Sequence, residues 1–425
     1  MESHIENPRE RAVLIGLAAK SLPERERSDE ASLAELSELV ETAGGQAVAT
    51  VLQNRQSPEP RSFIGEGKVQ EVKQLLEVNE CALAVFDNEL SPSQHRVLSE
   101  ELGVKVLDRS GLILDIFAQR AHTREGQLQV ELAQYEYLLP RLTGMWSHLV
   151  SQTGTGAPIG TRGPGETQLE SDRRHIRRRI SKLRDELEEV RRIRATQRQK
   201  RERNAVPVVC LVGYTNAGKS TLLNRLTGAE ISAQDRLFDT LDTTTRKLCL
   251  EGARDVLVSD TVGFIRKLPH HLISAFRATL EELTFADVLL HVIDVSNPDW
   301  TEQAQVVDEL VTSLKLATTP CLRVFNKCDR YFGELPRESG SVCISAKTGE
   351  GLGELAEKLA ELLESGKKRL TLLIPYAQTA VLETLRREGA LVSSDYTDAG
   401  IKARVVIGER LWGLVRSFMA DDGDE

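Results

Sequence analysis

The chain has 425 residues, 40% of them hydrophobic and 28% charged, with a formal net charge of −9. That length excludes one ordinary core and predicts two to four domains in a soluble, globular chain. No 18 apolar residues run together, the opening "MESHIENPRERAVLIGLAAK" lacks a signal-peptide pattern, and the six cysteines show no metal-type pairing. Stable membrane insertion and a disulfide scaffold are therefore excluded. The expected location is cytoplasmic, with peripheral membrane association left open, and most cysteines read as small buried hydrophobes.

Residues 12–110 alternate the apolar strands "AVLIGLA", "AVATVLQ", "ALAVFD" and "VKVLD" with amphipathic helical stretches near 32–43, 66–78 and 92–102. The alternation predicts a small parallel α/β domain over 1–110. Residues 111–204 lose the strand signal and predict a long antiparallel helical hairpin. One arm, "SGLILDIFAQRAHTREGQLQVELAQYEYLLPRL", sets Leu128, Leu132, Tyr135 and Leu139 on a repeating face. The other starts near Glu166 and spaces Ile176, Ile180, Leu183, Leu187, Val190 and Ile193 by fours and threes, a heptad seam. At 1.5 Å per residue, an arm of about 30 residues extends roughly 45 Å beyond its domain.

Charge is uneven along the chain. Between Ser171 and Asn204 fourteen Lys or Arg stand against six Asp or Glu, a local +8 that leaves about −17 elsewhere. Such a segment suggests a polyanion partner; the alternative is a solvated helix face. The arms are joined by "TGMWSHLVSQTGTGAPIGTRGPGETQ", with glycines at 154, 156, 160, 163 and 165. Trp146 and His148 could stack on unpaired bases, and Arg162, Arg173, Arg174, Arg177 and Arg178 could neutralise phosphates. A disordered connector is the alternative, but beside the basic helix an RNA-facing tip is the better reading.

Residues 205–364 carry the strongest chemistry. "VPVVCLVGYTNAGKST" is an apolar strand, a G-x-x-x-x-G-K-S loop and a helix start, the full phosphate-loop context. Backbone N–H groups from Gly213, Tyr214, Thr215, Asn216, Ala217, Gly218, Lys219, Ser220 and Thr221 would face the phosphates. Lys219 would reach the β and γ groups, and the Ser220 hydroxyl would bind Mg²⁺. "DVLVSDTVG" ends a strand at Asp260, a second Mg²⁺ group, with Thr261, Val262 and Gly263 following; the Gly263 N–H can meet the γ-phosphate. "CLRVFNKCD" ends in Asn326, Lys327 and Asp329. The Asp329 carboxylate can accept from guanine N1–H and its exocyclic amine, a donor pair that adenine lacks, while Lys327 lies over the base. "VCISAKTG" supplies Ser345, Ala346 and Lys347 beside guanine O6. Four such segments at strand ends identify a P-loop GTPase domain, with GTP and GDP as its nucleotides. "RLFDTLDTTTRK" is a mobile-loop candidate whose Thr240, or else Thr244, would join Mg²⁺. Phe264 stands where many GTPases place a polar residue to orient the attacking water.

Residues 365–425 predict a small C-terminal α+β domain from "KRLTLLIPY", "AQTAVLETLRREG", "IKARVVIG" and "RLWGLVRSFM", with nothing catalytic. The whole is thus expected to be an α/β multidomain chain.

These segments resemble the HflX family of ribosome-associated GTPases in the Obg–HflX superfamily. The matching residues are "GYTNAGKSTLLNRLTG", "LFDTLDTTTR", "DTVGFIRKLPHHLISAFRATLEE" and "NKCD", and, outside the GTPase block, "FIGEGKVQEV", the first hairpin arm and "RGPGETQLESDRRHIRRRI". The resemblance implies Mg²⁺ at Ser220 and Thr240 and nucleotide contacts at Phe238, Asp239, Thr240, Leu241 and Asp242. It also implies binding to the 50S subunit and its 23S rRNA, with splitting of idle or stalled 70S ribosomes. A hydrophobic residue at the Phe264 position is usual there, and Asn216 resembles the asparagine with which some related GTPases hold K⁺ near the phosphates. Lys219, Gly263 and Asn216 are accordingly the catalytic candidates. Other readings remain: large-subunit assembly, an ATP-dependent RNA remodeller, or a GTP-switched adaptor for a non-ribosomal partner. ATP enters through "GEGK" at Gly65–Lys68, where a tight turn competes with a phosphate cradle. A monomer is expected, since the seam can be satisfied within the chain.

Overall fold

The structure, a computed structural model, describes residues 9–142, 168–202, 206–228, 237–238, 244–249, 255–267, 282–314, 316, 319–336, 338, 340–365, 368–387, 390–407 and 414–419. The chain divides into two compact units. The first takes the described residues up to Val190 and, from far along the sequence, 237–238 and 262–267; the second takes the rest.

In the first unit, β1 (Arg11–Ala19), α1 (Glu30–Thr42), β2 (Gln46–Arg55), α2 (Glu66–Val78), β3 (Leu83–Phe86), α3 (Pro92–Leu102) and β4 (Lys105–Asp108) alternate as the sequence predicts. Local chemistry sets the boundaries. Asp29 and Ser91 close capping boxes on α1 and α3, and Gly103 ends α3 in the left-handed region at φ 70°. The strands pair in parallel in the order β2-β1-β3-β4, over a core that includes Val13, Ile15, Leu17, Ala84 and Phe86. Strand order reverses between β1 and β3, so the crevice lies at their carboxyl ends.

That crevice holds a buried charge cluster. Asp87, just past β3, accepts from Arg109 at 2.6 Å, from the Ser28 hydroxyl at 2.7 Å and from the Ser32 hydroxyl at 2.9 Å. Arg109 also pairs with Glu35, and Lys267 pairs with Asp87. Burial pushes the Asp87 carboxyl up, but Arg109 and Lys267 outweigh it and hold it below its ordinary value. Phe238 is buried against Phe117, edge to face at 4.7 Å.

The first hairpin arm is two helices, α4 (Arg109–Arg120) and α5 (Arg124–Leu138), where the sequence reading expects one helical run. The break falls at residues 121–123 because the Thr123 hydroxyl caps the next helix by accepting from the Gly126 N–H. The second arm is α6 (Gln168–Glu202). Leu128, Leu183 and Leu187 form a buried cluster joined by Leu132, Tyr135 and Val190. Ion pairs across the two helices include Arg124–Glu186, Arg179–Glu131 and Arg184–Glu136. The seam stops at Val190: Ile193, expected on it, is 50% exposed.

The second unit contains β5 (Val208–Gly213), α7 (Lys219–Thr227), β6 (Thr244–Leu248), β7 (Val256–Asp260), β8 (Val288–Asp294), α8 (Trp300–Ser313), β9 (Cys321–Asn326), β10 (Ser341–Cys343) and α9 (Leu352–Ser365). Its sheet runs β10-β9-β8-β5-β7-β6, parallel except for β6 against β7. The central strands are continuous apolar runs because helices cover both faces. The same unit ends in β11 (Lys368–Ile374), α10 (Thr379–Arg387), β12 (Leu391–Thr397) and β13 (Gly400–Ile407), an antiparallel sheet of order β11-β13-β12. Strand β12 escapes the sequence reading because "LVSSDYT" is an edge strand without apolar alternation.

Candidate nucleotide site

Every strongly chemical segment of the second unit sits at the carboxyl edge of its sheet, where an open α/β sheet binds ligands. Strand β5 runs into the loop Gly213–Gly218, and α7 begins at Lys219. Two glycines are dictated by neighbours. A Cβ on Gly213 (φ 158°) would lie 2.3 Å from the Val292 carbonyl, and one on Gly218 (φ 91°) 2.3 Å from the Asn326 amide. Asn216 also takes a positive φ, 61°, and is exposed.

Lys219 is buried, its ammonium donating to the Gly213 carbonyl at 3.1 Å and the Tyr214 carbonyl at 2.8 Å. Burial lowers its pKa to about 8 against the pull of Asp260. The Ser220 hydroxyl donates to Asp260 Oδ2 at 2.6 Å. A hydroxyl and a carboxylate converging in this way are hard oxygen donors of the kind Mg²⁺ takes. The Thr261 hydroxyl donates to the Leu211 carbonyl at 2.6 Å, pinning the segment that leads to Val262 and Gly263. Phe264 is buried.

The segments that the sequence reading assigns to the base are cross-braced. Asn326 donates from Nδ2 to the Ala217 carbonyl at 2.8 Å and accepts from the Ala346 N–H at 3.0 Å, tying the phosphate loop to the segment after β10. The Ala346 N–H, expected beside guanine O6, is thus engaged by Asn326. The Ser345 hydroxyl donates to Asp329 Oδ1 at 2.7 Å, fixing that carboxylate, while Lys347 is exposed. Lys327 has φ 63° and its ammonium lies 2.8 Å from Asp294 Oδ2. Asp294 is missed by the sequence reading; its signal is the "DVS" that ends the apolar strand β8, an acidic residue with a serine two places on.

Of the threonines in "RLFDTLDTTTRK", the candidate Thr244 lies in β6 opposite Asp260, and its neighbour Thr245 bonds to Ser259. Asp239, Thr240, Leu241, Asp242 and Thr243 fall outside the described residues, as do Trp146, His148, Arg162 and the glycine-rich tip. Arg174, Arg177 and Arg178 are exposed on α6, and Arg173 is half-buried. At "GEGK" the Gly65 N–H donates to Gln53 at 3.0 Å, and the Arg55 guanidinium covers the glycine. The geometry there is that of a capped turn, with the leading N–H already used. Among the described residues no helix is long and apolar enough to cross a membrane.

Comparison with known proteins matches residues 30–118 to a family described as GTP-binding GTPase N-terminal, 120–201 to GTP-binding GTPase Middle Region, and 208–327 to 50S ribosome-binding GTPase. The protein called GTPase HflX in Caldanaerobacter subterraneus subsp. tengcongensis is 45% identical over 97% of this chain and 94% of its own. Those of the same name in Lacrimispora saccharolytica and Escherichia coli K12 are 47% identical over 98% and 96%, and 44% over 82% of each chain. A crystal structure of a GTP-binding protein from Sulfolobus solfataricus with GDP covers 83% of this chain and 98% of its own at 26% identity, with a TM-score of 0.44.

Proposed function

We propose that this chain, which belongs to the HflX family of GTPases, uses its nucleotide cycle to dock on the large (50S) ribosomal subunit and separate idle or stalled 70S ribosomes. It is a P-loop GTP hydrolase that binds GTP and GDP. The observation that carries the ribosomal reading is the match of residues 208–327 to ribosome-binding GTPases. The basic stretch of α6 and its arginines supports 23S rRNA as the surface met.

On this reading the site residues divide the labour, and the braces described above support it. Asp329, held by Ser345, reads the guanine edge, and Lys327 covers its plane. Backbone N–H groups of Gly213–Thr221 cradle the phosphates, with the Lys219 ammonium turning from the Gly213 and Tyr214 carbonyls to the β and γ oxygens. Ser220 and Asp260, with Thr240, would hold Mg²⁺, which neutralises charge on the phosphate oxygens. The Gly263 N–H would face the γ-phosphate. The Phe264 side chain has no polar atom with which to orient water, so something else must position it. A K⁺ held at Asn216 and a group from the ribosome are the two sources, and hydrolysis then permits release. On this reading the chain acts in the cytoplasm as a monomer.

GTP turnover by the purified chain, alone and with 50S subunits, tests this in KCl and in NaCl. Stimulation is expected to be large, since groups supplied in trans add about 10³–10⁵ to other GTPases. Equal turnover with and without subunits would overturn the ribosomal reading. Equal rates in the two salts with subunits present would remove only the K⁺ role.

A further inference from the structure

Asn326 and Asp329 each have a polar partner that fixes them for recognition, but a lysine laid across a base has a harder task. Its four-carbon stem is flexible, and it contributes a flat apolar surface only when both ends are held. At Lys327 both ends are held. The backbone sits at φ 63°, in the left-handed region, between the Asn326 brace and the turn in which the Arg330 N–H donates to the Lys327 carbonyl at 2.9 Å. The far end is tethered to Asp294 at 2.8 Å, with side-chain exposures of 18% for the lysine and 14% for the aspartate. That places the pair well away from full solvent screening.

Asp294 is itself preorganised. Its Oδ1 accepts from the Ser296 N–H at 3.0 Å and the Ser296 hydroxyl at 2.6 Å, which turns Oδ2 toward the lysine. The carboxylate is the last residue of β8 and stands in register with Asn326, the last of β9, so two adjacent strand ends fix both partners.

We infer that Asp294 is a positioning residue for the guanine nucleotide: buttressed by Ser296, it anchors the Lys327 ammonium so that the lysine stem lies along the base. The inference rests on the reading of Asn326–Asp329 as the base-recognition segment. Because GTP and GDP carry the same base, the contribution is uniform across the reaction. It belongs in KM and in the affinity for both nucleotides, and not in kcat.

The test is a double-substitution cycle in the full chain, read by GDP titration and by steady-state GTP hydrolysis. Asp294→Asn should weaken GDP binding and raise the KM for GTP by about tenfold each, the size of one lost charge-assisted hydrogen bond, with kcat retained. Ser296→Ala should do the same to a smaller degree, and Asp294→Glu should restore part of the loss. In a Lys327→Met background, Asp294→Asn should change nothing further, because its only route to the base is gone. Unchanged affinity in Asp294→Asn overturns the inference. So does a loss of equal size in the Lys327→Met background, which would make Asp294 a fold-stabilising residue. Asp329→Asn is the control for the underlying reading. If it leaves GTP affinity intact, the base site itself is misassigned; if it weakens GTP while Asp294→Asn is silent, the positioning role alone fails.

Discussion

Asp87 has almost no solvent contact, yet it stays ionised because Arg109, Lys267, Ser28 and Ser32 all point at its two oxygens. A carboxylate surrounded in this way is costly to disturb, since removing its charge leaves two buried cations with less compensation. Asp87→Asn should destabilise the first unit by about 3 kcal/mol at neutral pH, measured by denaturant unfolding. The sign with pH follows from the lowered folded-state pKa. The unfolded carboxyl titrates near 3.8, so the stabilisation is fully present above that value and is lost as pH falls through the lower folded value. The gap between wild type and variant should therefore close as pH falls below that ordinary value. A gap that stays constant over that fall in pH would show that Asp87 is not the group being protonated. None of this is legible in "FDNEL", which reads only as a strand ending in a polar turn. The partners of Asp87 come from positions 28, 32, 109 and 267, and no periodicity links them.

At the scale of elements, the heptad seam of α6 is read correctly over Ile180, Leu183 and Leu187 and overextended at Ile193. A heptad pattern states which positions share a face. It does not state how far the partner helix reaches: the arms run antiparallel, and α5 begins only at Arg124, which already pairs with Glu186. The two ends of the pattern should therefore respond differently to truncation. Leu183→Ala should cost about 2–5 kcal/mol, because the side chain is fully enclosed by Leu128 and its neighbours. Ile193→Ala should stay within about 0.5 kcal/mol, as exposed substitutions do. Comparable losses at the two positions in thermal melts would mean that the seam continues past Val190. The break between α4 and α5 is a similar case. Thr123 followed by "REG" is a capping signal, but the long apolar pattern on both sides conceals it.

For the whole molecule, the order of the sequence and the order of the fold part company. Residues 237–238 and 262–267 are flanked in the sequence by strands of the nucleotide-binding sheet, yet they belong to the unit built from the N-terminal strands. Phe238 against Phe117 is the contact that can be tested. Phe238→Ala should lower hydrogen-exchange protection in α4, more than a hundred positions earlier in the chain. The expected loss is about 3–5 kcal/mol for an enclosed aromatic. A change confined to amides of residues 206–365 would place Phe238 with the second unit instead.

The amino-acid sequence alone determined that, in chain order, a P-loop GTPase sheet follows a parallel α/β layer with helical arms and precedes a small α+β segment. It also determined that Gly213–Ser220, Asp260, Asn326–Asp329 and Ser345–Lys347 stand at strand ends. These signals are local: a strand's apolar run, the glycine-rich loop that follows it and a carboxylate just past an Asn-Lys pair are all written within a few residues. The braces were decided only by the tertiary structure. Asp294 on Lys327, Ser345 on Asp329, Asn326 between Ala217 and Ala346, and Lys267 on Asp87 each join separate elements. Which carboxylate meets which ammonium depends on strand order and register, and those are fixed only when the sheets close and burial makes every unpaired charge expensive.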